Sequence, residues 1–424
     1  MISERLDVII FGATGYTGRF TVCNAVKLLE GLNWGIAGRC EEKLKNVLLN
    51  AGEKVKKNLS IIPIIIADIN DQHSLIAMAK QAKVIVNCCG PYHKFGEQVV
   101  SACIEGGAHQ VDLSAEPHHM EVIQLKYDAE AREKNVYIVS GCGFDSIPAE
   151  MGTIFLHEKF DGTLNSVEMF LYTNLLEDLI PKARVNYGTW ESIIYVFAHY
   201  NELRQIRCQL FPTRTPSFEP KMPKHPLIYK SDVVGNRWCL PFPNTDRSVV
   251  LRTHRYFYDK CKKRPIQLRS NLVVDSFLHV VAIVLFAAIA LIMLTFSCSR
   301  KLMLRHSKLF SFGLITKEGP KDEINENSYF DLTLVGEGWA EKFDNEMEDV
   351  KLKTNKRLRV QISAENPGYG ATCIAVLLSA KTILNETSKI PQSGGVLTPG
   401  VAFQHTSLIN ELQRNGFTFK VLNE

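Results

Sequence analysis

The stretch Asp7-Val8-Ile9-Ile10-Phe11-Gly12-Ala13-Thr14-Gly15-Tyr16-Thr17-Gly18 constrains the fold more than any other part of this chain. Its run of apolar, β-branched residues reads as a buried parallel strand. The strand runs into a turn with Gly at 12, 15 and 18, and a helical pattern follows from Arg19. Such a turn opens a dinucleotide-binding βαβ unit. Gly12 makes the tight turn, Gly15 lets backbone N–H groups approach a pyrophosphate, and Gly18 lets helix and strand pack closely. The spacing is G-x-x-G-x-x-G, a variant of the usual fingerprint. Thr14, Tyr16 and Thr17 complete the candidate phosphate-binding turn.

The next predicted strand, Leu32 to Arg39, ends about 20 residues beyond the turn, where an NAD-binding unit places an acidic residue on the ribose 2′-hydroxyl. This chain has Gly38-Arg39 there and no carboxylate. A guanidinium presents a planar fork of donors to a 2′-phosphate, so the expected cofactor is NADP(H). Lys43 and Lys45 would add positive field; a merely solvated Arg39 is the alternative. Further strands are predicted over Ile61–Asp68, Lys83–Cys89, Ala108–Ser114 and Val136–Ser140, with helices over Gln72–Gln81 and Tyr127–Lys134. Ligands bind at the carboxyl ends of such strands. That places Asp68 near an adenine edge and adds Asn87 and Gly90 to the cofactor set. Tyr92, Asp112 and Asp145 become the expected catalytic residues, with His93, Ser114, Glu116 and Ser146 beside them. Pro91-Tyr92 as a plain turn and Asp145-Ser146 as a helix cap are the alternatives. His118-His119 has no further ligands at suitable spacing, so no metal is expected.

Several motifs together resemble the saccharopine dehydrogenase-like oxidoreductases, in their membrane- and lipid-droplet-associated branch. They are the glycine turn, Ala37-Gly38-Arg39, Asn87-Cys88-Cys89-Gly90-Pro91-Tyr92, Val111-Asp112-Leu113-Ser114 and Gly143-Phe144-Asp145-Ser146-Ile147-Pro148. Gly188-Thr189-Trp190-Glu191-Ser192 and Gly394-Gly395-Val396-Leu397-Thr398-Pro399-Gly400 also fit, so the resemblance spans nearly the whole chain. Ala115 and Ala149-Glu150 depart from the family pattern beside the presumed substrate pocket. The resemblance implies a two-domain reductase with an NADP-type Rossmann domain. Bacterial relatives in the wider family reduce enoyl groups of lipid intermediates, which points to a lipid-like acceptor. Saccharopine itself is disfavoured, because a soluble, charged amino acid needs no apolar anchor.

That anchor is Phe277 to Phe296, interrupted only by His279 and Thr295. A helix of that length reaches about 30 Å, enough to cross a hydrocarbon core; a buried core helix is the alternative. Basic residues flank it on both sides, with Arg252 to Arg269 before and Arg300 to Lys308 after, so no inside–outside asymmetry orients a span. Strands are predicted near 166–173 before it, and near 329–335 and 357–363 after it. If these share one sheet, the chain must return to the side it left. Leu302 to Leu314 is the candidate returning limb, and the expected attachment is monotopic.

With 424 residues the chain has room for two or three domains. A net charge of +4 and no zinc-finger spacing exclude a nucleic-acid-binding reading. Eleven scattered cysteines fit reduced thiols. Ile2–Arg5 is too short and polar for a signal peptide, and Lys317–Asn327 reads as an exposed charged loop. The expected fold class is α/β: a Rossmann dinucleotide-binding domain (1–150) plus a second α/β domain (151–366) carrying the membrane-associating insertion 277–296. A C-terminal helix and tail (367–424) should pack back on the nucleotide domain. Expected partners are a hydrophobic small-molecule or lipid substrate and a lipid-droplet or membrane surface, with homodimer formation left open. The lipid droplet and the cytosolic face of the endoplasmic reticulum are the expected locations. A catalytically silent nucleotide-binding scaffold or sensor is the competing reading.

Overall fold

In a computed structural model, the glycine turn joins the first strand of a seven-stranded parallel sheet. Residues 5–176, 185–316, 326–345, 347, 350 and 352–422 are described. The polar start at residues 2–4 and most of the charged loop (317–325) lie outside the described residues. In chain order the first elements are β1 (Leu6–Phe11), α1 (Tyr16–Leu28), β2 (Trp34–Gly38), α2 (Glu41–Val55), β3 (Ile64–Ile66) and α3 (Gln72–Lys80). Then come β4 (Ala82–Asn87), α4 (Tyr92–Gly106), β5 (His109–Asp112), α5 (Pro117–Glu133) and β6 (Tyr137–Val139). The chain runs from β1 to β2 and β3 on one side, and to β4, β5 and β6 on the other. The crevice at the carboxyl ends of β1 and β4 is therefore the topological switch point. Ile9, Ile10, Ile36, Ile85 and Val86 are fully buried in this sheet, each worth about 1.5–3 kcal/mol. The strand β3 is shorter than predicted. Pro63 has no N–H for the ladder, and Ile62 closes a turn on the Leu59 carbonyl.

The next elements are α6 (Ile147–Phe160), β7 (Thr163–Thr173), β8 (Val185–Asn186), α7 (Tyr187–Ala198), α8 (Tyr200–Leu210), β9 (Tyr229–Ser231) and β10 (Arg237–Pro241). They are followed by α9 (Thr245–Cys261), β11 (Gln267–Val274), α10 (Phe277–Thr295) and β12 (Ile315–Thr316). The last strands are β13 (Tyr329–Trp339), β14 (Lys356–Glu365), β15 (Gly395–Leu397) and β16 (Thr418–Leu422). The first unit comprises Met1–Phe144, Glu191–Leu210 and Gly368–Asn415; the second comprises Asp145–Trp190, Phe211–Pro367 and Gly416–Glu424. The sequence divides the chain at 150 and 366, whereas these units divide at Phe144 and Pro367. The tail from Gly416, expected on the nucleotide domain, belongs to the second unit, because β16 pairs with β14.

The first unit gains an edge strand that periodicity missed: β15 pairs in parallel with β6. The helix Thr372–Asn385 is largely apolar and mostly buried, a core helix of this unit. The second unit is built on a mixed sheet of order β16-β14-β13-β7-β11-β10-β9. The three predicted strands around the apolar segment are β7, β13 and β14, and they do share this sheet. In register, β7 sets Thr173 opposite Phe330 of β13 and Leu171 opposite Leu272 of β11. The chain thus leaves β11 for α10 and re-enters β13 at the same end of the sheet.

Candidate functional site

Gly12 adopts a φ of +78°, and a side chain there would press on the Cys88–Cys89 peptide at 3.0 Å. A Cβ on Gly18 would lie 2.2 Å from the Gly12 carbonyl oxygen, so α1 rests directly on the turn. Gly15 is the N-cap of α1, with no side-chain cap and no acidic residue in the first turn. The amino end of α1 is thus suited to an anion, with the helix dipole behind it. Thr14 and Thr17 stand half-buried beside this turn. The Tyr16 ring packs on Tyr369 and Phe20, with centroids 4.6 and 5.4 Å away. The ring is thus engaged in packing and not turned to a phosphate.

Arg39 is exposed at the end of β2 and makes no ion pair among the described residues. It lies close enough to Cys89 to draw that thiol's pKa down, although burial dominates and pushes it up to about 11. Lys45, expected to reinforce Arg39, is instead bound to Glu41 at 2.7 Å. Asp68 accepts the Asn70 N–H at 2.9 Å, turning the chain into α3. Asn87, opposite Phe11 in register, is fully buried. Its Oδ1 accepts the Cys89 N–H at 2.9 Å, while its Nδ2 has no partner. An uncapped helix amino terminus, an unpaired arginine and an orphaned amide donor at the carboxyl ends of the adjacent strands β1, β2 and β4 fit a dinucleotide with a 2′-phosphate. Gly90 is exposed just before α4.

Two of the three predicted catalytic residues turn out to brace the fold. The Tyr92 hydroxyl donates to the Asn87 carbonyl at 2.9 Å and accepts the Leu113 N–H at 3.1 Å. Burial, then the nearby Asp112, raises its pKa well above the phenol range. Asp112 is fully buried and accepts from the Ser114 and Gly141 amides, the Ser140 hydroxyl and the Gln110 side chain. It ties the ends of β5 and β6 together. Asp145 differs: solvent reaches it, yet the protein mass around it pushes its pKa up to about 6. It stands in the second unit near the buried Asp246, whose own carboxyl is raised by burial and by repulsion from Asp145 and Glu150.

The residue next to Tyr92 is better placed for proton exchange. Glu116, fully buried, accepts the Tyr92 and His93 amides at 3.0 and 2.8 Å, and so caps α4 from another strand end. The same carboxylate meets His93 Nδ1 at 2.9 Å and accepts the Ser192 hydroxyl. Burial alone would raise the Glu116 pKa, but the hydrogen bonds from His93 and Ser192 hold it below its usual value. The His93 ring stacks on Tyr195 at 3.6 Å. Tyr195 continues through its hydroxyl to His118 Nδ1, and His118 Nε2 meets Glu202 at 3.0 Å. Ser192 and Tyr195 come from α7. In the sequence Ser192 stands out only as part of a family motif, and Tyr195 does not stand out at all; an i, i+3 polar pair on one helix was the available signal. His119 is buried beside Gly96, and burial lowers its pKa to about 4, so it stays a neutral core residue. No metal-binding cluster occurs among the described residues.

Residues 8–139 match the family model described as Saccharopine dehydrogenase NADP binding domain, so the cofactor of this domain is NADP. A saccharopine dehydrogenase-like oxidoreductase of Pongo abelii is 37% identical over 98% of this chain and 97% of its own. The lipid droplet localized protein of Caenorhabditis elegans is 33% identical over 99% of both chains. The apo saccharopine dehydrogenase (L-Glu forming) of Saccharomyces cerevisiae shares the fold. Its TM-score is 0.54 at 14% identity, over 99% of this chain and 100% of that one. The glycine turn, its NADP-type domain and full-length similarity together place the chain in the saccharopine dehydrogenase-like oxidoreductase family.

Proposed function

We propose that the chain is an NADP(H)-dependent oxidoreductase attached to a lipid surface, acting on a hydrophobic carbonyl or enoyl compound. The uncapped amino end of α1 beside the unpaired Asn87 amide is the observation that carries the redox reading. When bound, NADPH supplies a hydride equivalent. The amino end of α1, with the helix dipole behind it, would hold its pyrophosphate and Arg39 its 2′-phosphate. Reduction also requires a proton. With Nδ1 fixed by Glu116, His93 has Nε2 left to exchange one, and stacking on Tyr195 restrains the ring. Glu116 is then the positioning residue. The lipid half is supported by α10, of whose residues only 11% are buried, and by the name of the worm relative. We propose the lipid droplet and the cytosolic face of the endoplasmic reticulum as its locations.

Titration of the purified chain with NADPH and NADH, beside Gly15→Asp and Arg39→Asp, tests the reading. We expect NADPH to bind the wild type more tightly than NADH. Gly15→Asp should lose both nucleotides. Arg39→Asp should weaken NADPH by about tenfold to a hundredfold, the size of one charge-assisted hydrogen bond, and spare NADH. Binding of neither nucleotide to the wild type would sink the reductase reading and leave a lipid-surface scaffold.

A further inference from the structure

We infer that α10 lies flat in a single phospholipid leaflet, parallel to its surface, with Lys301, Arg305 and Lys308 on the lipid phosphates. This rests on the lipid-surface attachment proposed above and specifies its geometry and lipid chemistry.

One flank of α10 is packed along its whole length. Val280 is buried among Leu240, Leu272 and Val274. Ile283, Phe286, Ala290 and Met293 continue the stripe half-buried, down to the buried Leu294 in the last turn. Phe286 meets the Phe312 ring, and the Arg300 guanidinium donates to the Leu294 carbonyl at 2.8 Å. The helix is therefore held lengthwise along the second unit and does not project end-on. Its opposite flank carries Leu278, Leu285, Ile289, Ile292 and Phe296, each more than half exposed. Leu309 and Phe312, at 70% and 69% exposure, extend that apolar face beyond the helix. An in-plane helix usually needs a polar face. Here protein covers the second face, which is why α10 is apolar all round.

End-on insertion fails on connectivity. The chain departs from β11 and returns to β13 at one end of one sheet. The return limb holds Arg300, Lys301, Arg305 and Lys308, so it cannot pass back through hydrocarbon. It is also anchored: the Trp190 indole donates to the Met303 carbonyl at 3.0 Å, and β12 pairs with β8. At the end of α10, the Thr295 hydroxyl donates to the Ile292 carbonyl, and the Ser299 hydroxyl is shared between the carbonyls of Met293 and Phe296. Those groups then need no water in an apolar setting. From Ser276 to Thr316 there is no Asp or Glu, and Lys301, Arg305 and Lys308 are all exposed. A leaflet carrying anionic headgroups is the complement of an apolar face followed by these exposed cations.

The test uses the full-length chain with vesicles of phosphatidylcholine, with and without phosphatidylserine. An environment-sensitive fluorophore is introduced one site at a time, as an unnatural amino acid, at Leu278, Leu285 and Ile292. Quenching by lipids brominated at shallow or deep acyl carbons should place all three at one shallow depth. A steady deepening from 278 to 292 would overturn the flat geometry while leaving attachment intact. Failure to float with any vesicle would overturn the attachment itself. Fluorophores already shielded in a self-associated chain without lipid would overturn the lipid occupant in favour of a second copy. The triple variant Lys301→Gln/Arg305→Gln/Lys308→Gln should lose about a hundredfold in affinity for phosphatidylserine vesicles, with NADPH affinity unchanged. Unaltered vesicle affinity would overturn the phosphate contacts.

Discussion

Asp246 keeps a carboxyl where the fold disfavours its charge. It is 7% exposed, its Oδ1 has no partner, and only the Asn244 amide donates to the other oxygen. Burial first, then Asp145 and Glu150, raises its pKa above the ordinary 3.8. The folded state therefore favours the protonated acid. The unfolded chain ionises near 3.8, so this group's contribution falls as pH rises from there to the folded pKa, and stays lost above it. Asp246→Asn should stabilise the protein at pH 8 by about 1–3 kcal/mol, the cost of an unsatisfied buried group. The gain should vanish near pH 4. Thermal melts at both values check this, and an equal effect at each would contradict it. Residues of this kind were not legible in the sequence, because Asp246 and Asp145 meet only through the fold. Gly12, Gly15, Gly18 and Arg39 were legible, since a turn and the following strand end are local in the chain. Tyr92 and Asp112 stand at the strand ends expected of them, where their hydrogen bonds brace the fold. Position follows from topology, whereas their hydrogen-bond saturation depends on neighbours distant in the chain.

Among elements, α1 depends on a single atom-scale contact with the cofactor turn. Gly18→Ala would put a methyl group 2.2 Å from the Gly12 carbonyl oxygen, which is backbone and cannot swing aside. The helix must then shift off the turn, at about 1–3 kcal/mol as for other overpacked sites, carrying the anion-binding amides with it. Lower thermal stability and weaker NADPH binding should appear together. Gly368→Ala is the control: nothing lies within 4 Å of its added Cβ, so both quantities should stay within error of wild type. The long strands β7, β13 and β14 were legible from runs of β-branched and apolar residues. The three-residue strands β9 and β15 were not, because so short a run has no period and β15 begins in a glycine pair.

At the scale of the molecule, the chain visits each unit three times, and the last crossing gives a strand to each sheet. The return of Gly368–Asn415 to the first unit was expected from the family resemblance, but nothing local announces that of Glu191–Leu210, which looks like ordinary helical sequence; its membership is set by partners far away in the chain. Two truncations separate the contributions. Removing residues 416–424 deletes β16, an edge strand paired only with β14. The first sheet is untouched, so the second unit should melt earlier while NADPH affinity persists. Removing residues 391–424 also deletes β15, whose Val396 N–H is held by Asp128 at 2.9 Å. It further deletes the fully buried Leu408 and Leu412 of the first unit. That loss exposes the β6 edge and the core beneath it, so nucleotide binding should disappear together with cooperative melting. Scanning calorimetry with and without NADPH distinguishes the cases. Retained NADPH stabilisation in the longer truncation would mean that the first unit holds its cofactor turn without its C-terminal strand.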